Sequence, residues 1–130
     1  MLNLRSFFVM VLAGIAMQLN AQAPSTQIAL NQVGFYGAAI KKAIIINAPA
    51  ASKFYILSIN KKDTFYRGDL DNSIKSRFSS ALTKTADFTR LKKAGSYVLY
   101  VPAIGYSYPF NINKNIYYPV ATAAVKAFYY

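Results

Sequence analysis

Along most of this chain, hydrophobic and polar positions alternate in short runs with the period of strands. Ile28 to Val33 predicts a first strand, closed by Gly34-Phe35-Tyr36-Gly37. Lys42 to Asn47 predicts a second, ending at Asn47-Ala48-Pro49, and Phe54 to Ile59 a third. The polar turn Asn60-Lys61-Lys62-Asp63 leads into a fourth at Thr64-Phe65-Tyr66-Arg67. Runs this short, β-branched or aromatic and parted by turn residues, indicate a sandwich of packed sheets. Asp71 to Lys84 is polar and serine-rich, and reads as a loop or a ragged edge strand.

The clearest alternation follows Gly95. Tyr97, Leu99 and Val101 share one face at period two, which puts Val98 and Tyr100 on the other and predicts some aromatic surface there. Tyr97 stands where a tyrosine corner would, its ring inward and its hydroxyl reaching upstream backbone; an ordinary buried tyrosine fits the same pattern. Tyr106 to Ile112 predicts the last strand, with Pro109 marking an edge or a bulge.

The period then changes. Tyr117-Tyr118-Pro119-Val120 opens an amphipathic helix running to Phe128-Tyr129-Tyr130. At about 100° per residue, Tyr117, Val120, Ala121, Ala124 and Phe128 form one stripe, with Lys126 opposite. Pro119 suits a first turn, where its missing N–H costs nothing. The helix has a start signal and no stop signal. Burying Phe128 alone is worth roughly 1.5–3 kcal/mol. Such a stripe is expected to pack on further protein, so the chain reads as the front of something larger.

The amino terminus has another character. Arg5 precedes an apolar core of nine residues, Phe7 to Ile15, and Leu19-Asn20-Ala21-Gln22-Ala23 supplies small residues for cleavage. Met1 to Ala23 therefore reads as an export signal, too short for the roughly 20 residues of a bilayer span. This predicts an exported protein, periplasmic or extracellular, with no membrane anchor after cleavage. The sequence has no cysteine, which excludes disulfides and lipidation on Cys. The remainder, residues 24–130, is enough for one domain with a modest core.

Composition narrows the chemistry further. The formal charge is +11, yet the basic residues are scattered as pairs and singles, so no nucleic-acid footprint is gathered on one face. The acids are Asp63, Asp69, Asp71 and Asp87, with no glutamate and no histidine. Nucleophilic triads and the usual zinc patterns lack their His and Cys. Asp69 and Asp71 could face the same way and hold a cation, but a solvated turn explains them as well. No catalytic residue, metal ligand or cofactor site is read from the chain, which by itself is not expected to be an enzyme. The 11 tyrosines are the remaining resource. Tyr36, Tyr55, Tyr66, Tyr100, Tyr106 and Tyr108 are candidates for stacking on sugar, in a stand-alone carbohydrate-binding sandwich.

Several segments together resemble a known family. Ile28-Ala29-Leu30-Asn31-Gln32-Val33-Gly34-Phe35 and Lys41-Lys42-Ala43 are similar to the opening of the N-terminal immunoglobulin-like module of family nine glycoside hydrolases, the cellulase or endoglucanase family. Asp87-Phe88-Thr89, Gly95-Ser96-Tyr97-Val98-Leu99, and Pro109-Phe110 with Ile112 follow in the same order. Ile116-Tyr117-Tyr118-Pro119 through Phe128-Tyr129 looks like the module's exit into the first helix of the catalytic barrel. Phe35 stands where the family usually has tyrosine.

The resemblance implies an all-β fold: an immunoglobulin-like β-sandwich of about seven short antiparallel strands, then one C-terminal α-helix belonging to an (α/α) barrel absent here. The domains would be 1–23 signal peptide, 24–114 sandwich, and 115–130 the start of a truncated catalytic domain. In that family the barrel, not the module, carries the acids that hydrolyse β-1,4-glucan. The implied role is non-catalytic: packing on a catalytic barrel in cis and stabilising it, with a polysaccharide as a further partner. Asn31, Gln32, Val33, Gly34 and Phe35, with Tyr117, Pro119, Val120, Ala124, Phe128 and Tyr129, are the candidate interface.

Overall fold

The structure is a computed structural model that describes residues 22–130, so the signal reading, apart from Gln22 and Ala23, lies outside the described residues. Among those residues the strands are β1 (Ile28–Ala29), β2 (Lys42–Ile46), β3 (Lys53–Ser58), β4 (Thr64–Asp69), β5 (Ile74–Lys75), β6 (Leu82–Asp87), β7 (Gly95–Val101), β8 (Gly105–Tyr106) and β9 (Phe110–Ile112). A helix, α1 (Tyr118–Ala127), follows them. One sheet has the order β1-β2-β6-β5; the other runs β4-β3-β7-β8, with β9 also on β7. All named pairings are antiparallel. Among the described residues this is an immunoglobulin-like β-sandwich followed by one helix at its C-terminal side.

The inner faces follow the alternation. Ala43 and Ile45 of β2, Phe54 and Ile56 of β3, and Tyr97, Leu99 and Val101 of β7 point inward and are buried. Phe88, just past β6, and Phe110 and Ile112 of β9 complete the core. Its centre is aromatic: Phe35 meets Phe88 edge-on at 5.5 Å and Phe110 at 5.8 Å, and Phe110 meets Tyr97 at 6.0 Å. Edge-to-face rings at this spacing add to what their buried area contributes.

The structure corrects the bounds of the first and last expected strands and resolves the serine-rich stretch between them. The first strand stops at Ala29, because Asn31 turns the chain: its Oδ1 accepts the Val33 amide at 3.0 Å. The stretch Asp71 to Lys84, read as a loop or a ragged edge strand, contains both: β5 is a two-residue edge strand, and β6 begins at Leu82, pairing with β5 at Leu82–Thr83 and with β2 from Thr83 to Asp87. Leu-Thr-Lys-Thr-Ala-Asp hides its inward face, since the one fully buried side chain is Ala86, opposite Ala43. The last strand is split into β8 and β9. Between them Ser107 stands in for the ladder, its amide donating to the Leu99 carbonyl at 2.7 Å and its hydroxyl accepting the Leu99 amide at 2.9 Å. Pro109, which has no amide to donate, falls in this interruption.

Candidate functional site

The residues named from sequence come together where the chain leaves the sandwich. Asn31 opens the loop after β1, and its Nδ2 donates both to the Gly34 carbonyl and to the Tyr117 hydroxyl, each at 3.0 Å. The Tyr117 hydroxyl donates in turn to the same Gly34 carbonyl at 2.9 Å. Two residues of one loop and a third more than eighty residues further along the sequence therefore close one hydrogen-bonded triangle. The Tyr36 ring meets the Tyr117 ring edge-on at 4.8 Å.

Gly34 is required by this geometry. Its φ is +114°, and a Cβ there would lie 2.5 Å from the Asn111 carbonyl oxygen and 2.7 Å from the Ile116 side chain. Side-chain-bearing residues tolerate neither the dihedral nor the approach. Phe35 then makes a parallel bridge to Ile112, its amide donating to the Asn111 carbonyl at 2.9 Å and its carbonyl accepting the Asn113 amide at 3.0 Å. Its ring is buried against Phe88 and Phe110. Phe35 thus anchors the loop from inside and shows no ring surface to a partner.

The other candidates lie outward. Asn31, Gln32 and Val33 are exposed, Val33 at 41%. Tyr117 is the N-cap of α1 and is half-buried; Pro119 sits in the first turn, where no N–H is needed. No residue of α1 is buried. Val120 is 51% exposed, Val125 56%, Phe128 90% and Tyr129 83%; Ala124 is exposed as well. The stripe expected along Tyr117, Val120, Ala121, Ala124 and Phe128 is present, but Tyr118 and Val125 add apolar surface outside it. Tyr118, Ala121, Thr122, Val125 and Lys126 line one shallow shelf.

Behind the loop, sequence reasoning missed a buried lysine. Lys41 is wholly enclosed, and its Nζ donates to the carbonyls of Gly37 (2.7 Å), Ala39 (2.8 Å) and Tyr36 (3.3 Å). Burial, and then the nearby charge of Lys92, lower its pKa from the ordinary lysine value, while Asp87 works the other way. The only signal available was that Lys41 immediately precedes β2, and a neighbouring lysine masks it. Tyr97 is also buried; its hydroxyl donates to the Lys93 carbonyl at 2.9 Å, four residues upstream, and burial raises its pKa.

The sugar-stacking candidates separate. Tyr36 is committed to Tyr117, and Tyr66 leans on Phe54 at the rim of the core. Tyr108 is exposed. Tyr55, Tyr100 and Tyr106 gather on the outer face of the five-stranded sheet. Asp69 ends β4, and Asp71 lies beyond it, its amide bonded to the Thr85 carbonyl. Among the described residues no group of three or more His, Cys, Asp or Glu could hold a metal, and no helix is long and apolar enough to cross a membrane.

Comparison with known proteins agrees with this architecture. A family model described as the cellulase N-terminal ig-like domain matches residues 23–106. The xyloglucan-specific endo-beta-1,4-glucanase BoGH9A of Bacteroides ovatus is 29% identical over 123 residues, covering 92% of this chain and 20% of that protein. A solved Bacteroides ovatus GH9 structure superposes with a TM-score of 0.73 at 30% identity, over 83% of this chain and 19% of its own. A metagenome-derived glycoside hydrolase family 9 endoglucanase gives 0.72 at 28% identity, over 79% and 20%. The chain spans about a fifth of the length of these relatives.

Proposed function

The chain belongs to the cellulase N-terminal ig-like domain family, and on that premise we propose that it is the non-catalytic module of an exported cellulase-type glycoside hydrolase. Its work is mechanical: it packs on a catalytic barrel in cis and keeps the helices and cleft loops of that barrel in place. On this reading residues 24–114 are the sandwich and residues 115–130 lead into the barrel. Chemistry on β-1,4-glucan belongs to the barrel.

One observation carries the proposal. The helix α1 is fixed at its start by the Asn31–Gly34–Tyr117 triangle, yet buries none of its own apolar side chains. Tyr118, Val120, Val125 and Phe128 are all exposed, and none of them is buried against the sandwich. Exposed apolar surface concentrated on one element marks a contact with another protein body. That the solved relatives are family nine glycoside hydrolases, matched over one fifth of their length, supports a family nine catalytic barrel as that body.

The test uses a full-length relative. Removing the module from an enzyme such as BoGH9A is expected to lower the melting temperature of the remaining barrel and its activity at elevated temperature. An isolated barrel as stable and active as the intact enzyme overturns the proposal.

A further inference from the structure

Pairing register places Arg67 of β4, Tyr55 of β3, Tyr100 of β7 and Tyr106 of β8 side by side in one row. The row crosses the outer face of the five-stranded sheet, because Phe54, Ile56, Leu99 and Val101 on the same strands point into the core. The rings follow one another like overlapping tiles. Tyr55 and Tyr100 lie 6.3 Å apart at 36°, and Tyr100 and Tyr106 lie 4.8 Å apart at 33°. Nothing in the sandwich core requires three tyrosines here, since each is only partly covered.

Charge brackets the row. Arg67 stands at one end, and at the other the Lys61 ammonium lies 3.9 Å from the centroid of Tyr106. Below the arginine end, a cleft of about 300 Å³ is lined by Lys53, Tyr55, Arg67, Gly68 and Asp69, so two cations there face one carboxylate. We propose that this row is a binding site for an acidic polysaccharide: the C–H faces of sugars lie on Tyr55 and Tyr100 while their carboxylates reach Arg67 at one end and the Lys61 ammonium seated on Tyr106 at the other.

Aromatic faces suit sugar C–H groups because the ring's negative face meets weakly positive hydrogens. Charge decides between neutral and acidic glycans. A cation already seated on Tyr106 crowds a neutral sugar, whereas a carboxylate arriving there pairs with it. Each exposed ion pair contributes little, so affinity grows through repeated contacts along one polymer strand. The chain's charge of +11 raises the local concentration of such a polymer without specifying where it binds.

Electrophoresis of the mature chain through native gels containing polygalacturonate, with neutral xyloglucan gels in parallel, tests the site. Retardation by polygalacturonate is expected, at least fivefold weaker for Tyr100→Ala and for the double substitution Arg67→Gln with Lys61→Gln. The double substitution Lys114→Gln with Lys126→Gln removes equal charge far from the row, and is expected to change binding less than twofold. Thermal melts report folding; should Tyr100→Ala fail to fold, Tyr106→Leu and the Arg67/Lys61 pair carry the test. Absence of retardation, or equal loss in the two charge doubles, overturns the proposal. So does equal retardation by xyloglucan, which would make the ligand neutral. Self-association in sedimentation that is abolished by Tyr106→Leu overturns it too, since the row would then be an interface between copies.

Discussion

Gly34 carries more of the exit geometry than any side chain near it. Its positive φ and its approach to Asn111 and Ile116 leave no space for a methyl group. Gly34→Ala is expected to cost about 2 kcal/mol in urea unfolding, the usual scale of a forced left-handed residue. Lys41→Met strips three carbonyls of their donor inside the protein, and an expected loss of about 2–3 kcal/mol follows from leaving such groups unpaired. Asp87 supplies a pH handle. Hydrogen bonds from Thr89, with smaller help from Lys42 and Arg90, hold its carboxyl below the ordinary 3.8. A depressed carboxylate pKa means that the folded state binds its proton less readily than the unfolded chain. Its contribution is therefore complete above that ordinary value and is lost as pH falls through the folded value. Denaturation of the wild type and of Asp87→Asn should differ at neutral pH and converge in strong acid; a constant difference across that range would remove Asp87 from the account.

At the scale of elements, the decisive join is between the loop after β1 and the start of α1. Tyr117→Phe keeps the ring on Tyr36 but deletes the hydroxyl that links Asn31 to Gly34. Fold stability is expected to fall by only about 1 kcal/mol. Hydrogen exchange at the amides of Tyr118 and Ala121, which bond to Asn115 and Tyr117, should quicken severalfold while β7 stays protected. This join was only half legible in the sequence. Asn31, Gly34 and Tyr117 could be named as individuals, but a triangle closed between residues more than eighty apart in sequence has no local signature. Strands were legible in proportion to the size of their inward side chains. β7 was legible because Tyr97, Leu99 and Val101 recur at period two after Gly95, although Val98 between them is buried as well. β6 was not, since a strand facing inward with Ala86 looks the same as a polar loop. The split of β8 from β9 was signalled by Pro109 alone; Ser107, which mends the ladder there, reads as an ordinary serine.

For the whole molecule, charge and apolar surface set the behaviour. Fifteen basic residues against four acids leave the compact state repelling itself. Raising ionic strength from about 0.01 M to 0.15 M shortens the screening length from roughly 30 Å to 8 Å, and should raise the melting temperature. A melting temperature independent of salt would show that the scattered lysines are already compensated locally. The same measurement in potassium and in sodium salts has a definite expectation from Lys41. An ammonium ringed by three carbonyl oxygens does the job of a monovalent metal ion, but it is tethered to the chain by covalent bonds. Such a plug cannot be dialysed away or exchanged for a competitor of different radius. The neighbourhood of the exit loop should therefore be indifferent to which alkali ion the buffer holds, however strongly the rest of the surface responds to its concentration.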